Sequence, residues 1–272
     1  MAAPYPIQSR GVEADRMIQV LARAHRILVY LRTHDDRPVG VTELARDLGI
    51  SVQACANIVR TLLELGYVAR ARHANGYQLG PMAYRLGRGK VFREDLVEVA
   101  TPIIDDLVKR IGEYCVLVVN HAMQRAVVLA RQPERELQVN PGDEQLLELP
   151  GTSTGRVMLA YASETDRARY VRKHPLPWPQ WPEVSDFDTL ERICARIRAE
   201  KIYLNVPPGN PEERSVTFAM AVLPFQDEEP ECVLGVRMPA FRFREERRSF
   251  YLDECRRAVG ELESALRSKT FS

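Results

Sequence analysis

The feature that most constrains the fold of this chain is a pair of short amphipathic helical patterns followed by a hairpin pattern within residues 41–80. The first helical pattern ends at Gly49, a residue suited to a tight turn, and the second begins at Ser51, a favourable N-cap. Asn75 and Gly76 then form a dipeptide that favours hairpin turns. The apolar spacings of three and four that define the helices fall at Leu44, Ala45, Leu48, Cys55, Ile58, Val59, Leu62 and Leu65. This order predicts a winged helix-turn-helix, although two plainly packed helices share the local pattern.

The second helix leaves a polar face outside its apolar stripe. Helix-turn-helix proteins place such a face in the major groove of DNA. The amides of Gln53 and Asn57 have the donor and acceptor that pair with adenine, and Arg60, one turn further on, suits a guanine or a phosphate. Polar and basic residues of the hairpin suit phosphate or the adjacent minor groove. The alternative is that all of these are ordinary exposed residues. The predicted DNA-binding residues are Ser51, Gln53, Asn57, Arg60, Arg70, Arg72 and Asn75.

The charge of the chain is unevenly distributed, with a basic N-terminal segment and an acidic remainder. Residues 1–90 contain thirteen Lys and Arg against seven Asp and Glu, whereas residues 91–272 contain twenty-five against thirty. The formal net charge of +1 therefore conceals a net +6 and a net −5. Because DNA binding requires positive charge to neutralise phosphates, this division favours DNA binding by the N-terminal segment.

Length, composition and cysteine usage indicate a two-domain cytoplasmic protein. At 272 residues with 45% hydrophobic residues, the chain is long enough for two domains that each bury a core. No apolar run approaches the ~18 residues of a membrane-spanning helix, and the first residues lack the features of a secretory signal. Five scattered cysteines without a Cys-x-x-Cys pair argue against disulfides and a zinc site. We therefore expect no metal, no cofactor and no membrane association.

The order of predicted elements divides the chain into four parts. Residues 1–15 are expected to be flexible, 16–86 to form the winged helix-turn-helix, 87–111 to form a linker helix with a kink or break near Pro102, and 112–272 to form a second domain. Strands flanked by helices in the second domain predict an α+β fold. The strands are predicted over 114–120, 126–131, 136–139, 216–223 and 232–238, and the helices over 155–172, 187–201 and 244–267.

Three consecutive hydroxyl residues, Thr152, Ser153 and Thr154, stand at the start of a predicted helix. The free backbone amides and the dipole at a helix start favour an anion, and the hydroxyls add donors. These residues therefore form a candidate carboxylate site. A simple N-cap is the alternative.

Motifs along nearly the whole chain resemble those of the IclR family of bacterial transcriptional regulators. They are Thr42-Glu43-Leu44-Ala45 with Leu48-Gly49, Leu65-Gly66-Tyr67-Val68, Tyr77-Gln78-Leu79-Gly80, the segment 152–160 and the segment 197–203. The resemblance implies a winged helix, a linker helix and a GAF-like effector-binding domain, assembled as a homodimer or homotetramer on palindromic promoter DNA. It also implies a small aromatic or short aliphatic carboxylic acid as the effector. The effector-binding residues that it implies are Thr152, Ser153, Thr154, Thr217, Ala219, Met238 and, in a loop after Tyr203, Asn205.

The leading interpretation is a ligand-responsive transcription factor, repressor or activator, and not an enzyme. A second interpretation is a constitutive DNA-binding dimer whose C-terminal domain serves only assembly. A third makes the C-terminal domain an enzyme with Cys115 as its reactive group. Cys115 lies in an apolar strand without a basic residue beside it, so the sequence predicts a core residue instead.

Overall fold

The described part of the chain divides into two units, each with its own secondary structure. The computed structural model describes residues 18–71, 74–86, 92–133, 148–206, 215–225 and 229–270. The units divide between Lys90 and Val91. The helices of the first unit are α1 (Gln19–Thr33), α2 (Val41–Leu48), α3 (Val52–Glu64) and α4 (Pro81–Leu86), and its strands are β1 (Val68–Arg70) and β2 (Tyr77–Leu79).

The helix-turn-helix of the first unit forms as predicted, because its boundary residues suit their backbone positions. Gly49 follows α2 with a φ of 65°, a left-handed conformation that glycine adopts without steric cost. The Ser51 hydroxyl caps α3 by accepting a hydrogen bond from the Ala54 amide at 3.2 Å. The prediction that Leu65 is buried with the apolar residues of α3 is wrong, since Leu65 follows the last helical residue and is 55% exposed.

The predicted wing is the antiparallel pair of β1 and β2. Val39 braces it by exchanging two backbone hydrogen bonds with Tyr77, at 2.9 and 2.8 Å. Gly76, which has a φ of 147°, lies so close to Pro38 that a Cβ atom on Gly76 would be 2.9 Å from the Pro38 Cβ. The turn therefore needs glycine both for its backbone conformation and for the space it leaves.

A five-stranded antiparallel sheet forms the centre of the second unit, with the strand order β4-β3-β7-β6-β5. Its strands are β3 (Tyr114–His121), β4 (Gln124–Arg131), β5 (Ile202–Asn205), β6 (Ser215–Val222) and β7 (Cys232–Pro239). The helices of this unit are α5 (Glu94–Ile111), α6 (Ser153–Tyr161), α7 (Glu164–Lys173), α8 (Phe187–Glu200) and α9 (Arg248–Thr270). The α+β fold predicted from the sequence is confirmed.

The sheet separates two hydrophobic cores. On one face, α5 and α9 pack against alternate strand residues such as Phe218 and Val236. On the other face, α6 and α8 pack on the intervening residues, such as Ala219 and Val233. Both tryptophans of the chain, which belong to the proline-rich segment 174–182, are buried in this second core. The packing of these tryptophans explains how a segment that prolines keep out of regular structure is held in place.

The structure corrects the predicted elements in three places. α5 continues without a break through Pro102. The single helix predicted over 155–172 is two helices, because Ser163 leaves the helical conformation and caps α7. The sequence does not predict β5, which follows α8 directly after Lys201 turns the chain in a left-handed conformation. The strand predicted over 136–139 lies outside the described residues.

Candidate DNA-binding face and effector site

The outward face of α3 brings the predicted base-reading residues together. Gln53, Asn57 and Arg60 are all exposed and succeed one another at helical spacings of four and three. The Asn57 Oδ1 accepts hydrogen bonds from Gln53 Nε2 at 3.4 Å and from Arg60 Nη2 at 3.3 Å. Because these donors occupy both lone pairs of the oxygen, Asn57 offers an outside partner its N–H groups. A bidentate pair between Asn57 and adenine requires this network to open.

The wing presents Arg70 and Asn75 at its surface, both of them exposed. Arg70 on β1 lies over the ring of Tyr77 on β2, with the guanidinium carbon 5.6 Å from the ring centroid. This stacking orients the arginine while its charge stays accessible to a phosphate. Arg72, also predicted to bind DNA, lies outside the described residues.

A hydrogen-bonded cluster between α1 and α2 supports the helix-turn-helix. The Tyr30 hydroxyl donates to Asp47 Oδ2 at 2.6 Å, and Arg46 donates to Asp47 Oδ1 at 2.6 Å. Burial and the bond to Asp47 raise the pKa of Tyr30 to about 12. The bonds from Arg46 and Tyr30 lower the pKa of Asp47 to about 2. Asp47 is therefore ionised at neutral pH and links the two helices.

The predicted hydroxyl cluster forms the first turn of α6. Thr152 is the N-cap, because its Oγ1 accepts a hydrogen bond from the Gly155 amide at 3.0 Å. Ser153 Oγ and Thr217 Oγ1 on β6 share a hydrogen bond of 2.5 Å. The structure thus joins the start of α6 to Thr217, the strand residue that the family resemblance implied.

Thr154 holds the same turn close to the sheet. Its Oγ1 accepts a hydrogen bond from the buried Arg125 on β4, at 2.7 Å from Nε. A Cβ atom on Gly235 of β7 would be 2.6 Å from the Thr154 methyl group, so α6 approaches this strand as closely as a glycine allows. Ser153 and Thr154 are both buried, whereas Thr152 is half-buried. The hydroxyls of α6 therefore have structural bonds of their own.

Ala219 and Asn205 share the α6 face of the sheet with Thr217. Ala219 is fully buried in the core beneath α6. Asn205 is the last residue of β5 and pairs in register with Thr217, so its predicted position in a loop is wrong. Because Tyr203 belongs to the core under α6, Asn205, two residues further along the strand, faces the same side.

The assignment of Met238 to this group of residues is wrong. Met238 is fully buried in the core under α5 and α9, on the opposite face of the sheet from Thr217 and Ala219. Since side chains alternate along a strand, its neighbour Arg237 faces α6, and Arg237 is the register partner of Thr217. This face of the sheet therefore carries a half-buried guanidinium group beside Thr217. The apolar residues at positions 232, 234, 236 and 238 alternate along β7 and mark the face under α5 and α9. This alternation is the sequence signal that Arg237 lies on the other face.

Arg156, in the first turns of α6, is a further residue that the sequence does not identify. Its buried guanidinium donates hydrogen bonds to the Pro150 carbonyl at 2.9 Å and to the Tyr203 hydroxyl at 2.6 Å. It also donates to the Gln180 carbonyl and stacks over the Trp181 ring, 4.9 Å from the centroid. One side chain thus fastens the turn before α6, the proline-rich segment and β5. Tyr203 and Gln180 are distant from Arg156 in sequence, which is why no local pattern predicts these contacts.

The thiol of Cys115 has the properties of the core residue that the sequence predicts. Cys115 is fully buried, and burial raises the pKa of its thiol well above the ordinary value. A thiol with a raised pKa is protonated at neutral pH and is a weak nucleophile. Within the described residues, no group of three or more His, Cys, Asp or Glu side chains is placed to hold a metal ion. No helix in the same ranges is long and apolar enough to span a membrane.

Comparisons with known proteins agree with this architecture. Residues 18–76, from α1 to the wing turn, match the MarR family. The HTH-type transcriptional regulator BhcR of Paracoccus denitrificans is 26% identical over 93% of this chain and 88% of its own length. The structure of the IclR transcriptional regulator from Alicyclobacillus acidocaldarius covers 92% of this chain and 99% of its own, with a TM-score of 0.70 and 21% identity.

A second solved structure shares the fold. It is an IclR homologue from Microbacterium hydrocarbonoxydans in complex with 4-hydroxybenzoate, with a TM-score of 0.66 and 20% identity over 92% of this chain and 99% of that one. Together, the fold of the whole chain and its relatives confirm the predicted resemblance to the IclR family.

Proposed function

We propose that this chain, a transcriptional regulator with the IclR-family fold, binds a specific DNA sequence through α3 and the wing and a small carboxylate-bearing metabolite through its second unit. The observation that supports the DNA-binding role is the exposed network of Gln53, Asn57 and Arg60 on α3. These side chains offer base edges several donors and acceptors. The stacked Arg70 of the wing supplies a contact for phosphate.

The effector site lies where the first turn of α6 meets Thr217 and Arg237. The positive end of the α6 dipole and the Arg237 guanidinium both favour an anion, and a carboxylate accepts bonds from hydroxyls and from arginine. The bound 4-hydroxybenzoate of the structural relative is an aromatic carboxylate, which matches this chemistry. Asn205 and Ala219 lie on the same face of the sheet and form the rest of the proposed site on the strand side.

Effector binding would act through the arrangement of two winged helices in a homodimer or homotetramer. Two copies of α3 would read half-sites separated by about one helical turn of DNA or a multiple of it. A ligand that binds one spacing of the winged helices better than the other would change operator affinity by that difference. In this scheme residues 16–86 bind DNA, the linker segment 87–111 contains α5, and 112–272 bind the effector.

A second candidate function, in which the second unit serves only assembly, has one observation in its favour. The hydroxyls of Ser153 and Thr154 are buried and bonded to Thr217 and Arg125, as expected of a helix start that is only structural. A ligand at this site has to exchange those bonds for its own. The two functions therefore differ in whether a carboxylate stabilises the second unit.

Thermal unfolding in the presence of carboxylic acids separates these functions. We would record tryptophan fluorescence melts of the full chain with 4-hydroxybenzoate, benzoate and short aliphatic acids. A ligand at 100 times its Kd adds ~2.7 kcal/mol of stability, which raises the melting temperature measurably. A selective, saturable rise supports the effector role, whereas no rise with any acid supports assembly alone.

A matched pair of cap variants tests the position of the site. Thr152→Ala and Ser163→Ala each remove an N-cap hydroxyl from a helix of the second unit, α6 or α7, at a cost of about 1 kcal/mol. We expect Thr152→Ala and Arg237→Gln to weaken the ligand response and Ser163→Ala to leave it unchanged. Equal responses in all three variants would place the ligand elsewhere.

A further inference from the structure

Val52, the first residue of α3, is an exposed apolar side chain on the DNA-binding face. It follows the N-cap Ser51 directly and is 52% exposed. A β-branched residue is a poor choice for an exposed helix position, because it loses rotamer freedom in a helix and gains little from burial here. The stability of the first unit therefore does not explain this valine.

The surroundings of Val52 divide the face of α3 into a polar row and an apolar row. Gln53, Asn57 and Arg60 form the polar row through their hydrogen bonds. Val52 and the half-buried Ala56, four residues later, lie next to one another beside that row. A base-reading helix with this surface can contact both hydrogen-bonding groups and apolar groups within one groove.

The DNA major groove offers one kind of apolar group on unmodified base edges, the 5-methyl group of thymine. The N-terminal residues of a recognition helix are those that reach the base edges. We propose that Val52 packs against a thymine methyl group in each half-site, with Ala56 bordering the contact, and that this contact helps to set the sequence that the protein selects. The inference rests on the proposed function, in which α3 enters the major groove.

The proposal makes a specific claim about the cognate duplex. At least one thymine in each half-site has a methyl group that residue 52 covers, so removing either partner of the contact removes the same stabilisation. Burial of one methyl group corresponds to about a fourfold change in affinity. The polar row is expected to contribute separately, because its hydrogen bonds go to other base edges.

The test starts from a duplex selected from a random pool by the full-length protein. Each thymine of one half-site is then replaced singly by deoxyuridine, which lacks only the 5-methyl group, and Kd is measured by fluorescence anisotropy. With the wild-type chain, we expect a loss of about fourfold at one thymine or at two adjacent thymines. With Val52→Ala, which removes the contact from both half-sites, we expect a loss of about sixteenfold on the unmodified duplex and no further loss on the modified one.

Val20→Ala is the matched control, since Val20 is a valine of the same unit, is 53% exposed and lies on α1. This variant should bind the unmodified and modified duplexes like the wild-type chain. Val52→Thr, which keeps the branched shape and one methyl group, should retain part of the discrimination. If no deoxyuridine position depends on residue 52, the thymine contact is overturned while the DNA-binding role stands. If no sequence is enriched from the pool, the proposed function itself fails.

Discussion

The exposed face of α3 and the first turn of α6 both carry clusters of polar side chains, and the two clusters are held in opposite ways. On α3, Gln53, Asn57 and Arg60 are exposed and bond to one another. On α6, Ser153 and Thr154 are buried and bond to side chains of the sheet. An exposed cluster can change without much effect on folding, so it is free to specify a partner. A buried cluster must support the fold and any ligand with the same atoms.

This difference sets the expected result of mutation in each region. Changes around α6 should lower the stability of the second unit before they reveal any effect on ligand binding. Changes on α3 should alter DNA recognition with little effect on stability. The two units are also separable by spectroscopy, because both tryptophans, Trp178 and Trp181, lie in the second unit.

The largest effect is expected for Arg156→Ala in the α6 region. This change removes three hydrogen bonds and the stacking on Trp181, and it leaves the Tyr203 hydroxyl buried without that donor. We expect a loss of about 4 kcal/mol in the free energy of unfolding, measured by tryptophan fluorescence in urea. Arg169→Ala, which breaks an exposed ion pair with Asp166, should cost less than about 1 kcal/mol. Equal losses would show that the buried guanidinium is not an anchor.

A smaller loss is expected when a methyl group is added beneath the start of α6. A Cβ atom on Gly155 would be 2.2 Å from the Leu149 carbonyl oxygen, a backbone atom that moves only with its chain. Gly155→Ala should therefore cost about 2 to 3 kcal/mol through overpacking. Gly260→Ala on α9 is the control, since nothing lies within 4 Å of the added carbon. That control should stabilise the unit by up to about 1 kcal/mol, because alanine favours a helix. If Gly155→Ala does not change the stability, the backbone of the turn before α6 moves to accommodate the added methyl group.

The two regions also differ in how much of them the sequence predicts. The helix-turn-helix is local: Gly49, Ser51 and the apolar spacing define it within forty residues, and the structure agrees. The α6 site depends on strand register, where an error of one residue exchanges the faces of a sheet. The prediction for Met238 contains such an error, because Met238 faces the opposite core and its neighbour Arg237 lies on the α6 face.

The contacts of Arg156 show a second reason for the difference. Its partners lie before α6, in the proline-rich segment and on β5, and β5 itself is too short to give a clear alternation pattern. Sequence patterns describe neighbours along the chain, whereas this cluster is assembled by the packing of α6 on the sheet. The hydroxyl residues Thr152 to Thr154 are predictable because they stand together at a helix start, which is a local feature, and within a motif that resembles the family's.

On the α3 face, Gln53→Ala should weaken binding to the selected duplex by about 2 kcal/mol and leave binding to random DNA unchanged. The side chain is exposed, so the free energy of unfolding should stay within about 0.5 kcal/mol of the wild-type value. Gln124→Ala, at an exposed glutamine of the second unit, is the control for both measurements. Equal losses on selected and random DNA would mean that Gln53 contacts the phosphate backbone and does not read a base.

The smallest effects are expected from two carboxylates, one in each unit, that share a pKa of about 2. Hydrogen bonds from Arg46 and Tyr30 lower the pKa of Asp47, and bonds from Ser185 and the Thr189 amide lower that of Asp186. A pKa that is lower in the folded state than in the unfolded state means that ionisation stabilises the fold. This contribution is complete above about pH 4 and is lost as the pH falls towards 2.

Asp47→Asn should therefore make the stability of the first unit depend less on pH as the pH falls towards 2, and should leave that of the second unit unchanged. Hydrogen exchange of the amides in α1 to α3 measures this stability. Asp186→Asn should reduce the pH dependence of the second unit's stability in the same way, as measured by tryptophan fluorescence. If either variant changes the acid profile of both units equally, the two units do not unfold independently. The contrast between the exposed and the buried cluster would then have to be measured on the whole chain.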